Sequence, residues 1–223
     1  MSNYELVIKN VRLRGNPKAT VEIGIRNGKI EKIGKTLEKG DQELDAKGNL
    51  VTESFVNAHM HMCKVYTLEM IGEDAMRAYQ EGGMDKAMVA IELASEVKRN
   101  YKEDWIYENA KRALMLGLKH GVLHYRAFVD TDTKGKLEGI KALLRLRDEF
   151  KKIVDLQVVA FPQDGVVRDP GAEELVRKAV EMGADVVGGI PWIEYTEEDA
   201  QKHVDLMFDI AKEHDRDIAM LTD

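Results

Sequence analysis

The sequence predicts an α/β protein: a small N-terminal β module, then a parallel sheet whose strands alternate with helices. Three observations carry this. Residues 4–50 hold short runs in which apolar and polar residues alternate. From residue 51 onward, Val/Ile-rich runs alternate with segments of helical period. Four of those runs begin at Val122, Val154, Asp185 and Asp217, 32, 31 and 32 residues apart. They lack a clean polar face, as strands covered on both sides of a parallel sheet do.

In the β module, Leu6, Ile8 and Val11 to Leu13 form a half-alternating run. Val21, Ile23 and Ile25 alternate cleanly and share one face of a strand. Asn27-Gly28 is a two-residue hairpin turn, because both residue types tolerate positive φ. Ile30 and Ile33 lie on the return strand, and the module is taken as residues 1–50.

The second domain is taken as residues 51–223, with strands expected at Val51–His61, Val122–Asp130, Val154–Phe161, Asp185–Ile190 and Asp217–Thr222. Residues 62–120 are read as one long crossover of two or three helices, the last running from about Glu103 to a C-cap at Gly121. Leu137, Ile140, Leu144 and Arg147 mark a further helix, and Leu175, Val176, Ala179 and Val180 another. Thr196 with Asp199 caps the helix whose stripe is Val204, Met207, Phe208 and Ala211. A repeat of about 32 residues suits either a closed (β/α) barrel or an open doubly wound sheet. A closed eight-unit barrel takes about 250 residues. Only about 170 residues follow the β module, with five strands among them. The sheet is therefore open, or it is part of a barrel whose other strands are elsewhere.

Composition narrows the function. Lys+Arg 33 against Asp+Glu 40 gives a net charge of −7, which disfavours nucleic acid as a partner. No apolar run reaches the length of a membrane span, and the charged N-terminus is unlike a signal peptide. Cys63 is the one cysteine, so no internal disulfide forms, and a reducing cytoplasm is the expected setting.

The sharpest local feature is Asn57-Ala58-His59-Met60-His61. Two histidines at i and i+2 on a strand point the same way, and they fall at the C-terminal end of the first parallel strand, where sites of such sheets lie. They are either a pair of metal ligands or two strand histidines without a ligand. Cys63 is either a small buried hydrophobe or a nucleophile with His61 or His124 as base; on a strand it would share the face of His61. A soft metal ligand is a third option. His120 and His214 sit in helix last turns, His203 is expected to be solvated on a charged helix, and Trp105 is expected to pack.

Phe55 to His61, following Asn27-Gly28-Lys29-Ile30-Glu31-Lys32-Ile33-Gly34, resembles the start of an amidohydrolase-superfamily enzyme, in the branch of cytosine deaminase and triazine (isopropylammelide) amidohydrolase. Gly121 to Arg126 with Val129-Asp130, Val159 to Gly165, and Gly188-Gly189-Ile190-Pro191 extend the likeness in order along the chain. The resemblance implies a small β-sandwich followed by a metal-dependent TIM-type barrel, of which about five units are present. It implies hydrolysis of a C–N bond in a small heterocycle with a divalent metal, zinc or iron. His59 and His61 match the first two metal ligands, and Gln163 matches the glutamine that reads the substrate ring. The departures are Cys63 where the family has Asp, Phe128 and Trp192 where it often has His, and Leu221 where a metal-binding His is expected. Trp192 is thereby placed at the substrate mouth. Impaired activity of this chain is expected, together with a homo-oligomer or a second fragment that completes the barrel. The alternatives are a Cys63-His esterase-like hydrolase, or a degenerate or engineered scaffold without catalysis.

Overall fold

The structure, a computed structural model, describes residues 3–67, 95 and 97–222. It divides into two compact units, Met1–Ser54 and Phe55–Asp223.

The first unit is a mixed sheet of β1 (Leu6–Leu13), β2 (Asn16–Arg26), β3 (Lys29–Gly34), β4 (Gln42–Asp45) and β5 (Leu50–Val51). Its order is β3-β2-β1-β4, with β5 also on β1. The β2–β3 hairpin turns at Asn27 and Gly28, with φ of +52° and +69°, directly beyond the Arg26–Lys29 pair. Val7, Val11 and Ile23 are buried, whereas Ile30 and Ile33 are exposed. Gly24 is required by a close approach: a Cβ there would lie 2.6 Å from the ring of Tyr4.

The second unit contains β6 (Phe55–Met60), α1 (Glu103–Lys119), β7 (Val122–Asp130), α2 (Glu138–Phe150), β8 (Asp155–Phe161), α3 (Ala172–Glu181), β9 (Val186–Gly189), α4 (Glu197–Glu213) and β10 (Asp217–Met220). All five strands are parallel, in the order β10-β9-β8-β7-β6. Each strand lies beside its predecessor in the chain. A doubly wound sheet reverses direction at a switch point; this one never does, so it is a curled half of a (β/α) barrel. The expected run Val51–His61 is two elements. Leu50–Val51 pairs with β1 in the first unit, and Phe55–Met60 opens the barrel sheet. Residues 68–94 and 96 of the expected crossover lie outside the described residues; the rest includes helical positions at Ser95 and Val97, single 3₁₀ turns at Met62–Lys64 and Lys98–Asn100, and then α1.

The sheet has two faces with different cores. Against the helices pack Tyr125, Ala127 and Val129 of β7, Val158 and Ala160 of β8, and Ile106, Leu114, Ile140, Leu143 and Met207 from the helices. On the concave face Phe128, Val159, Phe161, Val186 and Ile190 form a smaller cluster, joined by Leu221. Lower on that face, His124 and Arg126 line an open cleft with Val56 and Ala58; Arg126 Nε donates to Gln157 Oε1 at 2.7 Å.

Thr196 caps α4 as its spacing predicts: the Asp199 N–H donates to its Oγ1 at 3.1 Å. Such a cap contributes about 1 kcal/mol. The buried stripe of α4 differs from the expected one. Phe208 is half exposed, and His203 occupies the core beside Met207, Ile210 and Ala211. His203 is fully buried rather than solvated. Its Nε2 accepts the Ile190 N–H at 3.0 Å, so the ring proton sits on Nδ1 and is donated to Glu194 Oε1 at 2.8 Å. Burial holds its pKa down despite Glu194, so the ring stays neutral. Glu194 also accepts the N–H groups of Val166, Val167 and Arg168, which pins the loop after β8 to the loop after β9.

Candidate active site

The C-terminal ends of β6, β7 and β8 converge on one group of polar side chains. On β6 the pairing with β7 is irregular between Asn57 and Met60. Asn57 and Met60 both face the helices beside Tyr125, in a small apolar recess. His59 and His61 both face the concave side, their ring centroids 5.1 Å apart in an edge-on arrangement. Both rings pack on Phe128, at 4.3 and 5.6 Å, and His61 also meets Phe161 at 5.4 Å.

His61 Nδ1 is buried and makes no hydrogen bond; Asp130 Oδ1 stands 3.8 Å away. Burial lowers the pKa of His61, partly offset by Asp130, so the imidazole is neutral at pH 7. A neutral imidazole with an unpartnered nitrogen has the chemistry of a metal ligand. Among the described residues, however, no group of three or more His, Cys, Asp or Glu side chains is placed to hold an ion. The described residues thus fit two positions of a metal site and no more.

Asp130, the last residue of β7, is completely buried beside two ammonium groups. Lys64 Nζ lies 3.1 Å and Lys98 Nζ 3.0 Å from its Oδ2, although neither meets hydrogen-bond geometry. Burial alone would raise the Asp130 pKa; the two lysines outweigh it and hold the carboxyl well below its ordinary range. Lys98 is itself 2% exposed and bonds Asp132 at 2.6 Å and Asp164 at 2.7 Å. Burial would lower its pKa, but the three carboxylates raise it. Asp132 moves the other way: burial raises its pKa against the pull of Lys98. Ser95 donates to the second oxygen of Asp164 at 2.9 Å. Lys64 reaches across the strand ends and donates to Gln163 Oε1 at 2.7 Å.

The residues singled out from sequence therefore separate. His59 and His61 lie together, and Gln163 is joined to them through Lys64 and Asp130. Trp192, on the 3₁₀ turn Pro191–Ile193, is 45% exposed and makes no ring contact with them among the described residues. Cys63 does not share the face of His61. The strand ends at Met60, and a 3₁₀ turn carries Cys63 to the helix side, where it is buried. Its Sγ accepts the Asp130 N–H at 3.3 Å, and burial pushes the thiol pKa up, opposite to what an activated nucleophile needs. Asp130 and Asp164 were visible only as parts of matched motifs; Lys64, Lys98 and Asp132 carried no sequence signal.

Known proteins share both the sequence and this frame. The chain is 35% identical over 217 residues to the N-isopropylammelide isopropyl amidohydrolase of Pseudomonas sp. (strain ADP), covering 97% of the chain and 52% of that enzyme. It superposes on the 5-methylcytosine deaminase of Klebsiella pneumoniae liganded with 5-fluorocytosine, with a TM-score of 0.82 and 31% identity, over 96% of the chain and 50% of the deaminase. The chain is a homologue of about half of each of these two enzymes. A third such relative, the N-isopropylammelide isopropylaminohydrolase of Burkholderia multivorans, superposes with a TM-score of 0.68 at 26% identity, over 96% of the chain and 52% of the enzyme. This homologue spans about half the length of the curated relatives it matches. No protein-family model matches it.

Proposed function

We propose that this chain carries the metal-binding and ring-reading side of an amidohydrolase or deaminase that cleaves a C–N bond of a small heterocycle. The observation that carries the reading is the convergence of His59 and His61 on one face, 5.1 Å apart, at the C-terminal end of β6. His59 and His61 would hold a divalent ion, zinc or iron, together with ligands from strands that complete the barrel. When bound, such an ion supplies an activated water for attack on an aminated or amide-like ring carbon. Asp130 lies beside His61 as a fixed negative charge, Phe128 backs both imidazoles, and Gln163 reads the ring, with Trp192 on the rim. The setting is cytoplasmic; among the described residues no helix is long and apolar enough to cross a membrane.

Two imidazoles fall short of the three protein ligands of a catalytic zinc site, so activity of this chain alone is impaired on this reading. The outer edges of β6 and β10 pair with no other strand among the described residues. Unpaired edges invite association, and a second copy or a complementing chain supplies the remaining strands. Zinc binding measured by calorimetry should weaken at least about tenfold in either His59→Ala or His61→Ala, because one of two ligands is lost. Ammonia release from cytosine with added zinc should stay below about 1 per second. A sizing column with mass detection should give more than the 25.2 kDa of one chain. Zinc affinity indifferent to both substitutions would overturn the metal reading.

A further inference from the structure

Lys64 has no part in the proposed metal pair, yet its ammonium is held in place. It lies 3.1 Å from the buried Asp130 carboxylate and 2.7 Å from Gln163 Oε1. An amide side chain can be turned over without changing its shape, so which end faces a neighbour must be settled by chemistry. Here it is settled: an ammonium has three donors and no acceptor, so only the amide oxygen can face it. Asp130 keeps the ammonium from following any movement of the amide, since it is anchored between Lys64 and Lys98. Gln163 is 8% exposed, and its Nε2 makes no hydrogen bond among the described residues.

We infer that Lys64 is a positioning residue that turns the Gln163 amide so that it offers only N–H donors to a ligand, which makes the site selective for a ring edge bearing a carbonyl oxygen over one bearing an amino group in its place. The inference rests on the reading of Gln163 as the group that meets the ring. A glutamine free to turn over would accept either edge. The same amide locked by Lys64 leaves an amino-bearing ring with two opposed donors and a buried polar group unpaired, the circumstance in which discrimination is steep.

The test uses the full chain with its completing strands, in whatever assembly it forms. Cytosine, with a ring carbonyl, is compared by calorimetry with 2,4-diaminopyrimidine, which has an amino group in that place, in buffer alkaline enough to keep both neutral. The parent should prefer cytosine by at least about tenfold, the worth of a satisfied against an opposed hydrogen bond. Lys64→Met should bring the two affinities within about threefold, while Lys64→Arg restores the preference, since guanidinium is also donor-only. Gln163→Glu keeps an acceptor toward Lys64 but removes both N–H donors, and should lose the preference without disturbing Lys64. The contact is read independently from the carbonyl ¹³C shift of the labelled Gln163 side chain, which should move in Lys64→Met and stay in Lys64→Arg. An unmoved shift in Lys64→Met overturns the inference whatever binds. A moved shift with the preference intact also overturns it. A moved shift with neither compound bound shows that Gln163 is not the ring reader, and the donor-edge inference falls with that reading.

Discussion

Lys98→Met is expected to cost about 3–5 kcal/mol of folding stability, the cost of breaking a buried ion cluster from one side. Methionine preserves most of the length and apolar stem of lysine, so the loss is of charge rather than volume. It strands three carboxylates, Asp130, Asp132 and Asp164, that lie 3.0, 2.6 and 2.7 Å from the lost ammonium. Lys64 still faces Asp130, and Lys134 stands 3.8 Å from Asp164, but among the described residues Asp132 keeps only backbone N–H donors from Lys134 and Gly135. Urea denaturation is the measurement: the midpoint should fall with the slope unchanged. A loss below about 1 kcal/mol, the range of a solvated pair, would show that the cluster is not the closed charge system described.

Asp130→Asn should destabilise by a similar amount at pH 7, about 3–5 kcal/mol, and the gap should close in acid. The folded pKa of Asp130 is held well below its ordinary value by Lys64 and Lys98, against the effect of burial. A depressed carboxyl contributes its full stabilisation above the unfolded pKa of about 3.9 and loses it as pH falls toward the folded value. The parent should therefore converge on the Asn variant only below about pH 4, where the Asp130 carboxyl of the unfolded chain begins to protonate while the folded one stays ionised. Asp132, whose pKa is raised by burial and by the neighbouring Asp130 charge, contributes with the opposite sign; it shares Lys98 with Asp130, so the substitution also relieves part of that shift, a smaller effect than the loss of the Asp130 charge itself. Denaturant midpoints of both proteins between neutral pH and pH 3 decide the matter. A gap that stays constant, or widens, through the acid range is incompatible with the ion-paired Asp130 seen here.

The barrel strands were legible because burial on both faces leaves no room for polar residues. The runs expected at Val122, Val154, Asp185 and Asp217 begin in the structure at Val122, Asp155, Val186 and Asp217. The curl was not legible from periodicity, which is the same for a barrel and for a doubly wound sheet; strand order alone separates them. His59 and His61 stood out because two imidazoles so close together are seldom needed for packing. Lys64 and Lys98 did not. A lysine in a charged stretch such as Ser95 to Asp104 reads as surface, and only the fold brings three carboxylates from two strand ends around it. His203 failed for the converse reason. Its helix neighbours are charged, but a single buried carboxylate and one backbone N–H satisfy both ring nitrogens. The stripe through Phe208 was misplaced because a histidine was not counted among core residues.

The irregular pairing of β6 has a consequence for insertions and deletions. Val56 and Ala58 line the concave cleft, Asn57 and Met60 face the helices, and His59 and His61 face the concave side again. Ala58 is therefore the supernumerary residue of the strand. Removing it leaves Val56, His59 and His61 on one side and Asn57 and Met60 on the other in plain alternation. A one-residue gap here is thus invisible to the imidazoles, whereas an added residue between His59 and His61 would throw one of them across the sheet. Length variation at this point of the chain and identity of the two histidines are decoupled, so an alignment of this segment should be anchored on His-x-His and left free to slip before it.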